Sequence, residues 1–493
     1  MKEPKAVVQL ARKSFSSGCT KPYEFRIKQL KALLKFVNEH EKAIVDILVK
    51  ENNKPSFEAY AFEINQVTND IKEAVYNLKE WMEPVKVQKS IAYVMDQAMI
   101  RHEPYGVVLV LGAWNYPFML TLSPVIGAIA AGNCVIIKPS DLTPLIGKFM
   151  EEVLPKYVDS SCYQVYNGGI PETTALLEER FDYIFYTGGT QVGKIIYRAA
   201  SKYLTPVTLE LGGKSPVFLD DSADVEVAAS RIMWGKCLNT GQSCIGPDYV
   251  LCNEYIRDKF VQAAKKVVRK WYGENIKQNP DYGRVINERH YGRIKKLLEG
   301  QRIAMGGEFD DSNLYIEPTI VIDVKANDPI MQEEIFGPIL PIVTVATPEE
   351  AIEFINGREK PLALYVFSTS KMEQEKFLKN TSSGGIVIND VLMHFSCSSL
   401  PFGGVGDSGM GFYHGKFSFE TFSHKRAALI KKLDRIGEFA QSVRYPPYTE
   451  NNLRILSLVT KVFPPLPGAR YFNRLLFAAL AILFGFLGFS YKK

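Results

Sequence analysis

The chain has 493 residues, 46% hydrophobic, 23% charged and 12% aromatic. These proportions exclude wholesale disorder, and at ~150 residues per domain the length suits two to three domains. Lys plus Arg is 59 against 54 for Asp plus Glu, a net charge of +5. No basic run of five or more occurs, which argues against a nucleic-acid partner.

The N-terminal residues Met1–Leu10 interleave charges with apolar types, so no secretory signal is expected. Glu24–Glu51 carries Phe25, Ile27, Leu30, Leu33, Leu34, Phe36 and Val37, then Ile44, Ile47 and Leu48, spaced mostly by three and four. This spacing predicts amphipathic helices. Short β-branched runs then follow, bounded by Gly or Pro: Val107–Leu111, Cys134–Ile137, Tyr183–Tyr186, Pro206–Leu211, Val217–Leu219 and Ile386–Ile388. Helix-length segments such as Thr121–Ala131, Leu145–Leu154 and Gly193–Lys202 lie between them. The alternation predicts an α/β fold with parallel sheets.

Candidate chemistry clusters at the ends of these strands. Gly112-Ala-Trp-Asn115-Tyr-Pro117 follows the first. The Asn115 amide either donates to a developing oxyanion or caps the next helix. Lys138 and Asp141 follow the second run, where ligands of open α/β sheets bind; they suit ribose hydroxyls, and the bland alternative is a solvated loop pair. Tyr186–Gly193 joins a strand to a helical run, and free N–H groups at such a helix start attract a pyrophosphate, unless this is an ordinary turn. Glu210 ends an apolar run beside Gly212 and Gly213, as either a general base or a salt-bridged strand residue.

Seven cysteines are scattered at 19, 134, 162, 237, 244, 252 and 397, which does not read as a disulfide framework and suits a reducing compartment. Cys237 lies in what reads as a buried helical turn. Cys244 lies in Asn239-Thr-Gly-Gln-Ser-Cys-Ile-Gly, a small, polar, turn-rich setting better suited to a reactive thiolate.

Other motifs fall away. Gly404-Val-Gly406-Asp-Ser-Gly409 matches G-x-G-x-x-G, but it follows no strand and opens no helix. Gly212-Gly213-Lys214-Ser215 lacks the first P-loop glycine, because position 208 is Thr208. The six histidines and the cysteine spacing give no metal motif, and no G-x-S-x-G elbow is present.

Arg444–Gly468 is rich in Pro and Gly and reads as a linker. Leu475–Tyr491 is 17 residues without a charge, preceded by Arg470 and Arg474 and followed by Lys492 and Lys493. At ~1.5 Å per residue this helix is just long enough for a thin bilayer, with Tyr471, Phe472 and Tyr491 at the interfaces. It reads as a C-terminal membrane anchor, the body facing the cytosol, with the endoplasmic reticulum as the fitting membrane.

Taken together the motifs resemble the aldehyde dehydrogenase superfamily, most closely the class 3 branch that includes membrane-bound fatty aldehyde dehydrogenases. The resemblance rests on Gly112–Pro117, Ile136–Ser140, Tyr186–Gly193, Leu209–Pro216, Gly241–Ile245, Glu333–Pro338 and Pro401–Gly409, all in order. It implies Cys244 as nucleophile, Asn115 in the oxyanion hole and Glu210 as the deacylation base, with Glu334 as the alternative base. For the cofactor, NAD with NADP as the alternative, it implies Lys138 and the loop Gly188, Gly189, Thr190, Gln191, Val192 and Gly193, and it implies Glu334 with Phe336 at the nicotinamide ribose. The small Gly189 suits close approach of the pyrophosphate. The resemblance further implies a Rossmann-type NAD(P) domain (residues 1–80 and 100–208), a catalytic α/β domain (209–411), a β oligomerisation arm (81–99 and 412–445), a linker (446–470) and the transmembrane anchor (471–491). The expected activity is oxidation of medium- to long-chain aliphatic aldehydes to acids through a cysteine thiohemiacetal and thioester, by a homodimer. An enzyme of the same branch acting on short or aromatic aldehydes is the alternative.

Overall fold

Val107–Leu111 is buried at every position, as a strand covered on both faces must be. It is central in a six-stranded sheet of order Gly409–Met410, Val207–Glu210, Tyr183–Thr187, Val107–Leu111, Cys134–Lys138, Tyr163–Val165. Leu109 pairs with Ile184 on one side and Ile136 on the other, both in parallel register. Only Gly409–Met410 runs antiparallel, placing Gly409 opposite Glu210. The five parallel strands thus lie in doubly wound order, and the order reverses between the strands ending at Leu111 and Thr187. Ligands of such sheets bind outside the strand ends at that reversal.

This computed structural model describes residues 3–90, 93 and 96–461. The runs read as strands and helices form these elements with boundaries shifted by at most three residues, and Val107–Leu111 unshifted. Glu24–Glu51 lies within one helix, Tyr23–Asn52. Met119–Ala131 is buried all round and ends at Gly132, whose φ of 92° is a left-handed cap that glycine adopts without strain.

A second sheet has seven strands in the order Arg302–Met305, Thr319–Ile322, Ile339–Thr344, Tyr249–Cys252, Pro216–Leu219, Ala363–Phe367, Gly385–Ile388. All neighbours are parallel except the pair formed by Arg302–Met305 and Thr319–Ile322. Phe218 stacks on Phe377 at 4.5 Å in its core.

Both sheets belong to one compact unit, Met1–Trp81 with Pro104–Ser423. A second unit, Met82–Glu103 with His424–Lys493, is built on a three-stranded sheet in which Gln97–Pro104 lies between Val85–Lys86 and Ser423–Ile430. Ion pairs Arg426–Glu103 (3.0 Å) and Lys431–Asp96 (2.6 Å) tie its segments together. The stretch expected to be a linker contains a helix, Glu450–Thr460, whose first turn is capped by the Thr449 hydroxyl accepting from Asn452 N–H. The prolines at 446 and 447 precede this helix and do not interrupt it. Among the described residues no helix is long and apolar enough to cross a membrane. The expected anchor, 471–491, lies outside the described residues.

Candidate active site

Cys237 and Cys244 are separated by seven residues but sit in different chemistry. Cys237 ends the helix Val225–Cys237, 2% exposed, and burial pushes its thiol up to about 12. Cys244 follows a sharp reversal in which Asn239, Thr240 and Gly241 all have positive φ (51°, 56° and 72°). A β-branched residue in that region is rare and costs about 1–3 kcal/mol. At Gly241 a Cβ would fall 2.3 Å from the Gly337 carbonyl oxygen, so only glycine fits.

Hydrogen bonds hold this strained loop. Asn239 N–H donates to the Glu58 carboxylate at 2.8 Å, and the Asn239 amide donates to the carbonyls of Asn115 and Gln242 at 2.9 and 3.0 Å. The Gln242 side chain donates to the Arg284 carbonyl and accepts from Ile286 N–H. Cys244 Sγ is thereby fixed at the wall of a cavity, near its own N–H and that of Ile245. Burial raises the Cys244 pKa well above the ordinary thiol value, and the carboxylates Glu334 and Glu210 raise it further. The resting sulfur is therefore a thiol.

Glu210 lines the same cavity. It is 3% exposed, and among the described residues neither carboxylate oxygen has a hydrogen-bond partner. Burial alone pushes its pKa well above the carboxylate range. Once ionised, a carboxylate whose pKa is raised this way is a strong base toward water in the space it faces. Glu334 differs. It packs against Gly212, where a Cβ would lie 2.0 Å from its carboxylate, and accepts from Gly213 N–H. Burial raises Glu334 to about 8, Asp248 adds to this, and Lys214 and Lys236 oppose it.

Asn115 comes from the other side of the cleft. One hydrogen of its side-chain amide goes to the Gln242 carbonyl at 3.2 Å, leaving the second for a ligand. Its loop is pinned from below: Asn52 donates to the Trp114 carbonyl and Lys54 to the Asn115 carbonyl, both at 2.9 Å. Lys54 also meets Glu63 at 2.6 Å, with both side chains fully buried. Glu63 in turn accepts from the N–H groups of Phe118 and Met119, where the helix Met119–Ala131 begins. Asn115 thus keeps one amide hydrogen uncommitted to the Gln242 carbonyl, and the reading of it as a helix cap is corrected: Glu63 does the capping. No local signal marks Lys54 or Glu63, since the backbone groups they hold, at Asn115, Phe118 and Met119, lie more than fifty positions away.

The reversal in strand order gathers the nucleotide candidates. The helix Thr190–Ser201 starts after Gly189, and no side chain caps it. Its first internal bond is Gly193 N–H to the Gly189 carbonyl, leaving the N–H groups of Thr190, Gln191 and Val192 before it. A Cβ on Gly189 would meet nothing within 4 Å, whereas one on Gly188 would strike the Tyr186 hydroxyl and one on Gly193 the Leu211 side chain. This is an open cradle at an uncapped helix N-terminus, with the free N–H groups that anions seek. Lys138 ends its strand, buried, with Nζ donating to the Pro139 carbonyl at 2.8 Å; burial lowers its pKa. Phe336 has φ of 50° and meets the edge of Trp114 at 5.3 Å. These residues fit a dinucleotide. The loop Gly404–Gly409 is no second fingerprint; it lies against Leu209, and Gly409 closes the sheet beside Glu210. Among the described residues no cluster of acids, histidines or cysteines is arranged to hold a metal.

The cavity shared by Cys244 and Glu210 has a volume of about 370 Å³. Phe62, Trp234, Leu238, Leu392, Phe395 and Phe402 make most of its wall apolar. Asp70 also reaches it, accepting from Ser123 and Gln66 at 2.5 and 2.8 Å, and burial pushes Asp70 up to about 7. The lining was not read from the sequence, because its residues come from segments with no shared spacing.

The family model "Aldehyde dehydrogenase family" matches residues 2–427. The rat protein "Aldehyde dehydrogenase family 3 member A2" is 53% identical over 446 residues, covering 90% of this chain and 92% of the relative. The rat "Aldehyde dehydrogenase, dimeric NADP-preferring" is 51% identical over 440 residues, 89% of this chain and 97% of the relative. Among solved structures, the substrate-bound state of Staphylococcus aureus AldH superposes with a TM-score of 0.90 at 43% identity, covering 94% of this chain and all of that one. The chain belongs to the aldehyde dehydrogenase family, and it oxidises aldehydes to carboxylic acids with NAD or NADP as electron acceptor.

Proposed function

We propose that the enzyme acts on medium- to long-chain aliphatic aldehydes, with Cys244 as nucleophile, Asn115 in the oxyanion hole and Glu210 as the base for deacylation. The observation that carries this reading is the apolar cavity into which both Cys244 and Glu210 open. Each CH₂ of a substrate buried there is worth about 0.8 kcal/mol.

Cys244 loses its proton to water in the cavity and bonds the carbonyl carbon. The thiohemiacetal oxyanion receives the Cys244 backbone N–H and the free hydrogen of the Asn115 amide. Lys138, Gly188–Gly193, Glu334 and Phe336 would hold NAD(P)⁺, which would accept the hydride that leaves the thiohemiacetal carbon. The product on Cys244 is a thioester. Glu210 then takes a proton from a water in the cavity, the water attacks the thioester, and Cys244 leaves as the thiolate. Glu334 is placed against Gly212 and Gly213, which suits holding the ribose better than facing water.

The anchor belongs to this reading. The uncharged run Leu475–Tyr491 would hold the enzyme at a membrane, with the body in the cytosol and the endoplasmic reticulum as the membrane. A homodimer is also part of it. Ser423–Ile430 is an edge strand with Leu429 and Ile430 exposed, ready to pair with a second copy, and the rat relative is named dimeric. Reduced-cofactor formation by detergent-solubilised full-length enzyme tests the substrate class. Hexadecanal should give a higher kcat/KM than hexanal or benzaldehyde, and Cys244→Ala should abolish all three rates. A preference for benzaldehyde would instead place the enzyme among general aldehyde oxidisers.

A further inference from the structure

Three of the seven cysteines meet far from the active-site cavity. Cys19 lies between the helices Pro4–Ser16 and Tyr23–Asn52, and its sulfur is 3.7 Å from that of Cys162, 143 residues away. Cys162 directly precedes the strand Tyr163–Val165. Cys134, at the start of the neighbouring strand, has its thiol near enough to Cys162 to interact with it. Cys19 is half-buried, while Cys134 and Cys162 are fully buried. The cluster therefore has one door, and Cys19 stands in it.

We propose that Cys19 and Cys162 form an oxidative modification site that takes peroxide and closes a reversible disulfide. The sulfurs are at van der Waals distance, and a bond of about 2.05 Å needs an approach of less than 2 Å. The Cys19 side can supply it: the adjacent Gly18 has φ of 79° and its Cα faces open space, so this turn has room to move.

The chemistry balances in two steps. The Cys19 sulfur attacks one oxygen of hydrogen peroxide; the O–O bond breaks, and the departing hydroxide takes the thiol proton to become water. Cys19 is now a sulfenic acid. The Cys162 sulfur then attacks the Cys19 sulfur; an S–S bond forms, the S–O bond breaks, and hydroxide leaves with the Cys162 proton as a second water. Two thiols are oxidised and one peroxide is reduced. Cys162 suits the second step because hydrogen bonds, first from Cys134 and then from Ser161 and Cys19, hold its pKa down to about 7. A thiol with its pKa near ambient pH is the best attacker. Cys134, without access to solvent, supports that thiolate.

The closed bond would tie the helical N-terminus to the sheet whose next strand carries Lys138. Because the loop enclosed is long, the oxidised protein should unfold at a higher temperature.

The test treats the full-length enzyme with a few equivalents of hydrogen peroxide, blocks free thiols, and maps the peptides. A Cys19–Cys162 cross-link that dithiothreitol reverses is expected, with a rise of a few degrees in unfolding temperature. Cys162→Ser should leave a sulfenic acid at Cys19 that dimedone traps, and Cys19→Ser should abolish the cross-link while keeping aldehyde oxidation and the reduced-state unfolding temperature. Two results would overturn the proposal: Cys19 and Cys162 both still alkylated when Cys244 is already oxidised, or a cross-link joining Cys134 to Cys162 instead.

Discussion

The side-chain amide of Asn239 donates at 2.9 Å to the backbone carbonyl of Asn115, joining the loop that carries Cys244 to the loop that carries Asn115. The same amide donates to Gln242, whose carbonyl also receives the Asn115 amide. The three residues form a brace, so the position of Cys244 relative to Asn115 is set before substrate arrives. Such pre-organisation is what electrostatic stabilisation of an oxyanion requires.

Asn239→Gly isolates this brace. Glycine accepts the left-handed φ at 239 without strain, so only the hydrogen bonds are lost. We expect kcat to fall at least about tenfold, corresponding to ~1.4 kcal/mol, with a much smaller change in KM. Steady-state kinetics with a short aldehyde checks it; an unchanged kcat would show that the brace does not set the geometry.

Lys54→Met should be costly at a distance from the reaction. It leaves the Glu63 carboxylate fully buried without its cation, a change of about 3–5 kcal/mol. Urea denaturation should show the loss, and the double variant Lys54→Met, Glu63→Gln should recover much of it.

Two raised carboxyl groups give opposite pH signatures in rate and in stability. Deacylation needs ionised Glu210, so kcat should climb with pH through a value well above the carboxylate range, and Glu210→Gln should lose both rate and climb. For Glu334 the folded value is about 8 against an ordinary 4.5. Between those values the folded state holds a proton that the unfolded chain has released, so stability falls as pH rises through the window. Glu334→Gln should flatten that slope in the cofactor-free enzyme, as thermal unfolding at pH 5.5 and 8.0 would show.

The nucleotide cradle makes a steric prediction. Gly189→Val places its branches in open space, where the pyrophosphate is expected, so cofactor affinity should drop at least about tenfold with the unfolding temperature unchanged. Gly188→Ala should instead destabilise, because its Cβ meets the Tyr186 hydroxyl at 2.1 Å. Fluorescence titration with NADH and thermal unfolding separate the two effects.

What the sequence made legible is what strands and turns encode locally. Val107–Leu111 and Cys134–Lys138 are apolar runs with chemistry at their ends, and Cys244 sits among turn residues. A buried strand needs apolar residues throughout, and strand ends are where loops carry function, so both leave a local trace. The supporting residues leave none. Glu58, Lys54 and Glu63 look like any charged residues of a helix or its connecting loop, and only the fold brings them beneath Asn115 and Asn239. Phe62, Trp234 and Phe395 likewise become one wall only after the chain has folded. The helix Glu450–Thr460 was hidden by the prolines before it, which end one segment and leave the next free to coil.

In the proposed mechanism the acyl group rests on Cys244 and is released by water that Glu210 activates. The most direct measurement mixes the Glu210→Gln variant with hexadecanal and NAD⁺ and follows both reduced cofactor and protein mass. The expected result is a burst of about one reduced cofactor per active site, then near arrest, with a thioester-linked acyl group mapped to Cys244. Continued turnover at the wild-type rate, or an acyl group on any other residue, would contradict it.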